Sequence, residues 1–298
     1  MEPSQTSRTL DGPPSALGLY GRAAIGSLPL AGRLPFFAGG GGEIPGDELV
    51  LEGVGVDTGR LAEYCRVCEF TMRDTLPATY PHILAFPLHM ALLTQGDFPF
   101  PAVGLVHVHN RISQRRPIGV DERLEVRVSA GNLKPHPKGK TFALETTVSA
   151  GDEIVWESVS TNLRRGKGDE SARDTGASFD TDLAAEAEWS LPGDLGRSYG
   201  AVSGDRNPIH MYGLTAKALG FPRQIAHGMW TKARCVAALE PRLPDAFSIE
   251  VAFKRPILLP SKVEFASGSE GSASSFAVRS ARDGEPHLAG AASLSNPA

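Results

Sequence analysis

Two stretches decide how this chain is read: "PRQIAHGMWTKARCVAAL", Pro222 to Leu239, and "PHILAFPLHMALL", Pro81 to Leu93. With the prolines aligned, Pro87 falls opposite Gly228 and Leu88 opposite Met229. Each stretch is too apolar for a helix lying on a surface, because an amphipathic helix keeps a continuous polar face. Both are therefore expected as buried helices, over residues 84–94 and 226–239. Further along, "RRPIGVDERLEVRV" matches "KRPILLPSKVEFAS", with Pro117 opposite Pro256. Two motifs in the same order at nearly the same separation indicate a tandem duplication.

Strand patterns follow each helix. In the first copy they are "GLVHVHNRISQRR", "ERLEVRVSAG", "KTFALETTVSAG" and "EIVWESVSTNLRR"; in the second, "FSIEVAFKRPI", "SKVEFASGS", "SSFAVRSAR" and "HLAGAASLS". The runs are short and bounded by Gly, Asp, Pro or Ser, as antiparallel strands are. A long apolar helix ahead of such strands implies a sheet wrapped around it. The fold class is α+β, repeated twice.

Residues 1–46 are rich in Gly and Pro and read as an extended N-terminal arm. Their glycine run lacks the Lys-Ser/Thr that would make it a phosphate loop. "RRGKGDESARDTGASFDTD", Arg164 to Asp182, is polar and small-residue-rich, and 166–182 is the expected linker. The folded halves are then 47–165 and 183–298.

Composition narrows the function. A net charge of −4 gives no general attraction to nucleic acid or to an anionic membrane. No apolar run has membrane length, so no membrane insertion is expected. The first residues, "MEPSQTSRTLDGPP", lack the pattern of a secretory signal, which makes the cytoplasm the expected location. Cys65, Cys68 and Cys235 are too few and too odd in number for a disulfide framework. Cys65 and Cys68 form a C-x-x-C without two further zinc ligands, inside "LAEYCRVCEF", whose pattern is helical; the thiols are expected in a core. His107 and His109 share one face of a strand and lack a third ligand nearby. Neither a metal nor a cofactor is expected.

The chemistry is concentrated in "YGAVSGDRNPIH", Tyr199 to His210, and the "IAHGM" that follows, Ile225 to Met229. Asp205 and His210 are a carboxylate and an imidazole five apart, a pair able to take and give protons around one water. Pro208 bars a continuous helix and favours a turn after Asn207, which can bring the two side chains to one side of a pocket. Asn207 is placed to hold that loop. Gly228, at the start of a buried helix, offers a backbone N–H where helix donors are unpaired and the dipole favours negative charge.

Together the blocks D-x-N-P-x-H (Asp205 to His210) and A-H-G-M (Ala226 to Met229) resemble the MaoC-like, R-specific enoyl-CoA hydratase and dehydratase family. The resemblance implies a tandem, or double, hot-dog fold over roughly residues 47–298. It implies reversible addition of water across a trans-2-enoyl thioester to give the (3R)-3-hydroxyacyl thioester, carried on coenzyme A or acyl carrier protein. Asp205 and His210 would be the catalytic pair, with either able to be the base. The Gly228 N–H would face the thioester oxygen, and Asn207 would support the loop. Ile225, Ala226, His227 and Met229 would shape the substrate pocket, with Tyr199 and Ser203 behind them. Lys254 and Arg255 read as a solvated edge. A homodimer of double hot-dogs is compatible with this picture.

The first copy departs from the pattern. Pro87 has no N–H to offer, and "DTLPATYPH", Asp74 to His82, lacks the D-x-N-P-x-H spacing. That half is expected to be a degenerate copy that completes the pseudo-dimer and gives room to the acyl chain. Two alternatives stand beside the hydratase: a hot-dog acyl-CoA thioesterase, and a non-catalytic subunit that binds acyl thioesters.

Overall fold

The computed structural model describes residues 7–15, 18–19, 42–172, 177–271 and 273–294. Most of the expected N-terminal arm, and residues 173–176 of the expected linker, lie outside the described residues.

The chain forms two compact units that interleave along the sequence. One comprises residues 1–55, 82–108 and 123–175; the other comprises 56–81, 109–122 and 176–298. The first unit carries strands β1 (Ser7–Leu10), β2 (Glu48–Val54), β4 (Leu124–His136), β5 (Gly139–Ala150) and β6 (Glu153–Arg165), in the spatial order β1-β2-β4-β5-β6. All neighbouring pairs are antiparallel except β1 with β2, which is parallel. Part of the arm, Ser7 to Leu10, is therefore a strand paired with Glu48 to Leu51. A helix, Pro81–Leu93, packs on this sheet. Its His89 is fully buried and bonds Thr146 of β5 at 2.8 Å. Burial holds the His89 imidazole down at about 4.

The second unit holds residues 109–114 of β3 (Leu105–Gln114) with β8 (Phe247–Phe253), β11 (Pro286–Ser293), β10 (Ala273–Ser280), β9 (Ser261–Glu270) and β7 (Ala185–Leu191), in that order and antiparallel throughout. Numbering the helices along the chain, α1 (Thr58–Cys68) belongs to this unit and α2 is the Pro81–Leu93 helix. They are followed by α3 (Leu195–Ser203), α4 (Pro208–Met211), α5 (Gly213–Ala218) and α6 (Gly228–Leu239).

The buried side chains of α6 include Met229, Trp230, Ala233, Val236 and Leu239. Its one lysine, Lys232, is also fully buried. The Nζ donates to Asn110 Oδ1 at 2.5 Å, Ile249 O at 3.0 Å and Asn110 O at 3.2 Å. Three acceptors surround the Lys232 amine, so its polar end is satisfied, and burial holds its pKa well below the usual lysine range. These bonds hold α6 against β3 and β8.

Each unit thus pairs a buried helix with a sheet that is antiparallel apart from the β1–β2 pair, as expected for a repeated α+β fold. The expected helix limits need correction. The first helix begins at Pro81, so Pro87 lies in its interior, whereas Gly228 is the first residue of α6. The two aligned residues do not both open a helix. Cys65, Cys68 and Cys235 are buried and free, and burial pushes their thiols up, away from reactivity. His109 pairs with Glu250 at 2.6 Å, and Arg255 with Glu285 at 3.3 Å.

Candidate active site

The expected catalytic loop follows α3. Gly204, in the left-handed region at φ 82°, ends that helix. The chain then turns on its own side chains. Asp205 N donates to Ser203 Oγ at 3.1 Å, and Asn207 N donates to Asp205 Oδ1 at 3.1 Å. Asn207 caps α4 by accepting from Ile209 N at 3.4 Å. Pro208 is the first residue of that single helical turn, where a missing N–H costs nothing. The proline therefore opens a short helix, rather than simply forcing the turn expected from its sequence. It places His210 on the helix and Asp205 just before it.

Two glycines allow this loop to lie against α3. A Cβ at Gly196 would sit 2.0 Å from the His210 carbonyl oxygen, and one at Gly200 would sit 2.8 Å from the Asp205 carbonyl oxygen. No side chain fits at either position without moving the backbone of the loop that carries Asp205 and His210.

Asp205, His210 and His227 converge, with one polar atom of each lying within 4.8 Å of the others. The rings of His210 and His227 stack, with centroids 3.7 Å apart and planes 25° apart. His210 Nδ1 donates to the Ile225 carbonyl at 2.8 Å. A carbonyl only accepts, so the proton is on Nδ1 and the lone pair of the neutral ring is on Nε2. By the same logic His227 Nε2 donates to the Asp205 carbonyl at 3.0 Å; it is also 3.8 Å from Asp205 Oδ2. His227 Nδ1 is buried and meets no hydrogen-bond partner among the described residues.

Burial is the main force on both imidazoles. It holds His210 below the usual histidine range, with Asp205 pulling in the opposite direction. His227 is held well below that range by burial and then by its neighbour His210. Both rings are thus neutral at neutral pH, while the Asp205 side chain is 30% exposed and open to an incoming molecule. The residue types would suit a metal ion. The nitrogens that donate to carbonyls have no lone pair to give, which leaves His210 Nε2 and His227 Nδ1 as the ring atoms able to accept a proton or to ligate.

Gly228 begins α6 immediately after His227, which precedes the helix with extended φ −69° and ψ 136°. Its N–H is among the donors that an α-helix leaves without an internal acceptor. Phe253 closes over this glycine: an added Cβ would be 3.0 Å from the ring. Ile225, Ala226 and Met229 are buried, and Ala226 N donates to Ile257 O at 2.9 Å. The sequence reading brought Asp205, His210 and His227 to one stretch of the fold, and the structure places them side by side.

It did not bring in α1, which supports the site from the N-terminal part of the chain. Arg60 Nε donates to Val202 O at 2.8 Å, in the last turn of α3. Tyr64 lies against Tyr199, with ring centroids 6.2 Å apart, and its hydroxyl donates to Thr79 at 2.8 Å. The Tyr199 ring in turn meets His227 at 4.9 Å. Burial pushes both phenols up, so they remain neutral hydrogen-bonding groups. The four-residue spacing of Gly196 and Gly200 is the sequence signal for the close approach of the Asp205–His210 loop to α3.

Residues 174–289 match the family model described as "MaoC like domain". The chain is 35% identical over 284 residues to 3-hydroxyacyl-thioester dehydratase X of Mycobacterium tuberculosis, covering 92% of this chain and 96% of that protein. The crystal structure of that organism's HtdX superposes with a TM-score of 0.74 at 35% identity, over 82% of this chain and 98% of the other. A second Mycobacterium tuberculosis structure, described as having a double hot-dog fold, aligns with a TM-score of 0.52 at 13% identity, over 82% of this chain and 95% of the other, and supports the fold alone. The tandem hot-dog architecture, the D-x-N-P-x-H and A-H-G-M blocks and the near full-length likeness agree, and the chain belongs to the MaoC-like dehydratase family.

Proposed function

We propose that the protein is a hydro-lyase that interconverts a trans-2-enoyl thioester and the (3R)-3-hydroxyacyl thioester in fatty-acid or related acyl metabolism in the cytoplasm. The observation that carries this is the convergence of Asp205, His210 and His227 beside the first N–H of α6. Likeness to a 3-hydroxyacyl-thioester dehydratase over almost the whole chain supports the same reaction class.

In the hydration direction, one water sits between the Asp205 carboxylate and the free Nε2 of His210. The pair takes a proton from it as its oxygen bonds to C3. The electrons of the C2–C3 double bond move to the thioester oxygen, and the enolate accepts the Gly228 N–H. The proton held by the pair then passes to C2, so H and OH are added and nothing is left over. His210 suits the acceptor role because its ring is held neutral with the lone pair on Nε2. A preorganised N–H aimed at developing charge is typically worth about 3 kcal/mol.

Asn207 holds the loop by capping α4, and Ile225, Ala226, His227 and Met229 form the pocket wall. We take residues 47–165 as the degenerate half and 183–298 as the catalytic half, with the linker at 166–182 and the arm at 1–46. A homodimer of double hot-dogs fits this organisation. The test is to follow loss of the enoyl absorbance of trans-2-enoyl-CoAs of graded length while assaying free thiol. Loss of absorbance without thiol release supports the hydro-lyase. Thiol release would make it a thioesterase, and inertness toward every chain length would make it a binding subunit.

A further inference from the structure

The chain leaves the candidate site at His210 and comes back to it at Ile225. Ile225 N donates to Ile209 O at 3.1 Å, and His210 Nδ1 donates to Ile225 O at 2.8 Å. Both ends of the excursion 211–224 are therefore stitched to the histidine of the dyad. Within it, Thr215 Oγ1 donates to Pro208 O at 2.6 Å, tying α5 back onto α4.

This excursion carries apolar side chains that the core does not use. Leu214 is 82% exposed, Tyr212 58% and Leu219 40%. The other large apolar residues that stand exposed among the described residues, Met72, Ile154 and Val159, are scattered and each less exposed than Tyr212. An exposed apolar cluster rimmed by polar groups marks an interaction surface.

The rim is basic. Arg197, Arg206, Lys217 and Arg223 are all exposed, and the guanidinium of Arg197 lies over the Tyr212 ring at 5.3 Å. Asp205, already assigned to the dyad, is the only carboxylate between residues 195 and 226, although the whole chain has a net charge of −4. The surface therefore suits a partner that is acidic and also offers apolar side chains. A small polyanion such as coenzyme A has no need of an exposed leucine, whereas an acidic protein surface carrying apolar side chains matches both features.

We infer that residues 211–224, with Arg197 and Arg206, are the docking surface for an acidic carrier protein that presents the acyl group as its own thioester. This rests on the proposed hydro-lyase reading and names the form in which the substrate arrives. Docking beside the anchored ends at Ile209 and Ile225 would bring the tethered thioester to the dyad.

The test presents one trans-2-enoyl group both on an acidic acyl carrier protein and on coenzyme A. It compares the natural chain with Leu214→Asp and with the double variant Lys217→Glu, Arg223→Glu. The expected result is a rise of at least about tenfold in KM for the carrier thioester, with the coenzyme A kinetics unchanged and added salt weakening only the carrier reaction. The unchanged coenzyme A reaction also shows that the variants are folded. Equal effects on both substrates, or none on the carrier thioester, would overturn the inference. So would binding to vesicles of anionic lipid that the variants abolish without discriminating between the thioesters. If the natural chain hydrates the coenzyme A thioester but ignores the carrier thioester, the docking surface is wrong and the hydro-lyase stands. If it hydrates neither, both fall.

Discussion

The rings of His210 and His227 lie face to face at 3.7 Å, each with one nitrogen committed to a backbone carbonyl. Two such rings cannot both be protonated without strong repulsion, and burial already disfavours the first charge. The pair is held neutral, so the activity should require neutrality. The rate should be flat above about pH 6.5, the free histidine value, and fall on the acid side, with the limb below 6.5. A pH profile of kcat/KM, taken where chemistry limits, checks this; a limb centred above 6.5 would contradict it.

The same burial couples to stability. His210, His227 and His89 have folded pKa values lowered from the free value, His89 to about 4. The unfolded chain therefore binds more protons than the folded one below about pH 6.5, and stability should fall as pH drops through that window. Thermal unfolding at a series of pH values should show this loss. His89→Asn should flatten the part between about 6.5 and 4.

Loss of either dyad member should be severe. Asp205→Asn and His210→Ala should each lower kcat at least about a hundredfold, the usual scale of acid–base help. Asp205→Asn should leave the melting temperature close to that of the natural chain, since the amide can still accept from Asn207 N. Near-normal turnover in either variant would remove the assignment.

Gly228 offers a clean separation of donor from shape. Proline is well tolerated at the first helical position, and the extended backbone of His227 suits a residue before proline. Gly228→Ala and Gly228→Pro both place a Cβ against Phe253, but only the proline lacks the N–H. Gly228→Pro should therefore be slower than Gly228→Ala by about a hundredfold to a thousandfold. Equal kcat values would show that this N–H does not face the thioester oxygen.

Much of this site could be read from the sequence because its blocks are local. Asp205, Asn207 and His210 lie within six positions, and their spacing survives as a capped turn. The buried helices were legible because Ile83, Leu88, Trp230 and Val236 leave no continuous polar face. What escaped depends on contacts far apart in sequence. Arg60 reaches Val202 across 142 positions, and nothing in "DTGRLAEYC" announces that partner. Likewise, the parallel pairing of Ser7–Leu10 with Glu48–Leu51 crosses a Gly- and Pro-rich stretch that carries no strand pattern. Pro208 misled in a smaller way: proline breaks helices in their interior but also starts them, and position alone decides which.

The most direct measurement is to incubate the purified protein with trans-2-enoyl-CoA in ¹⁸O-labelled water and to assign the product. Hydration by the Asp205–His210 pair predicts a single (3R)-3-hydroxyacyl-CoA carrying the label at C3, absent with Asp205→Asn. Release of free coenzyme A, a (3S) product, or undiminished hydration by the variant would contradict it.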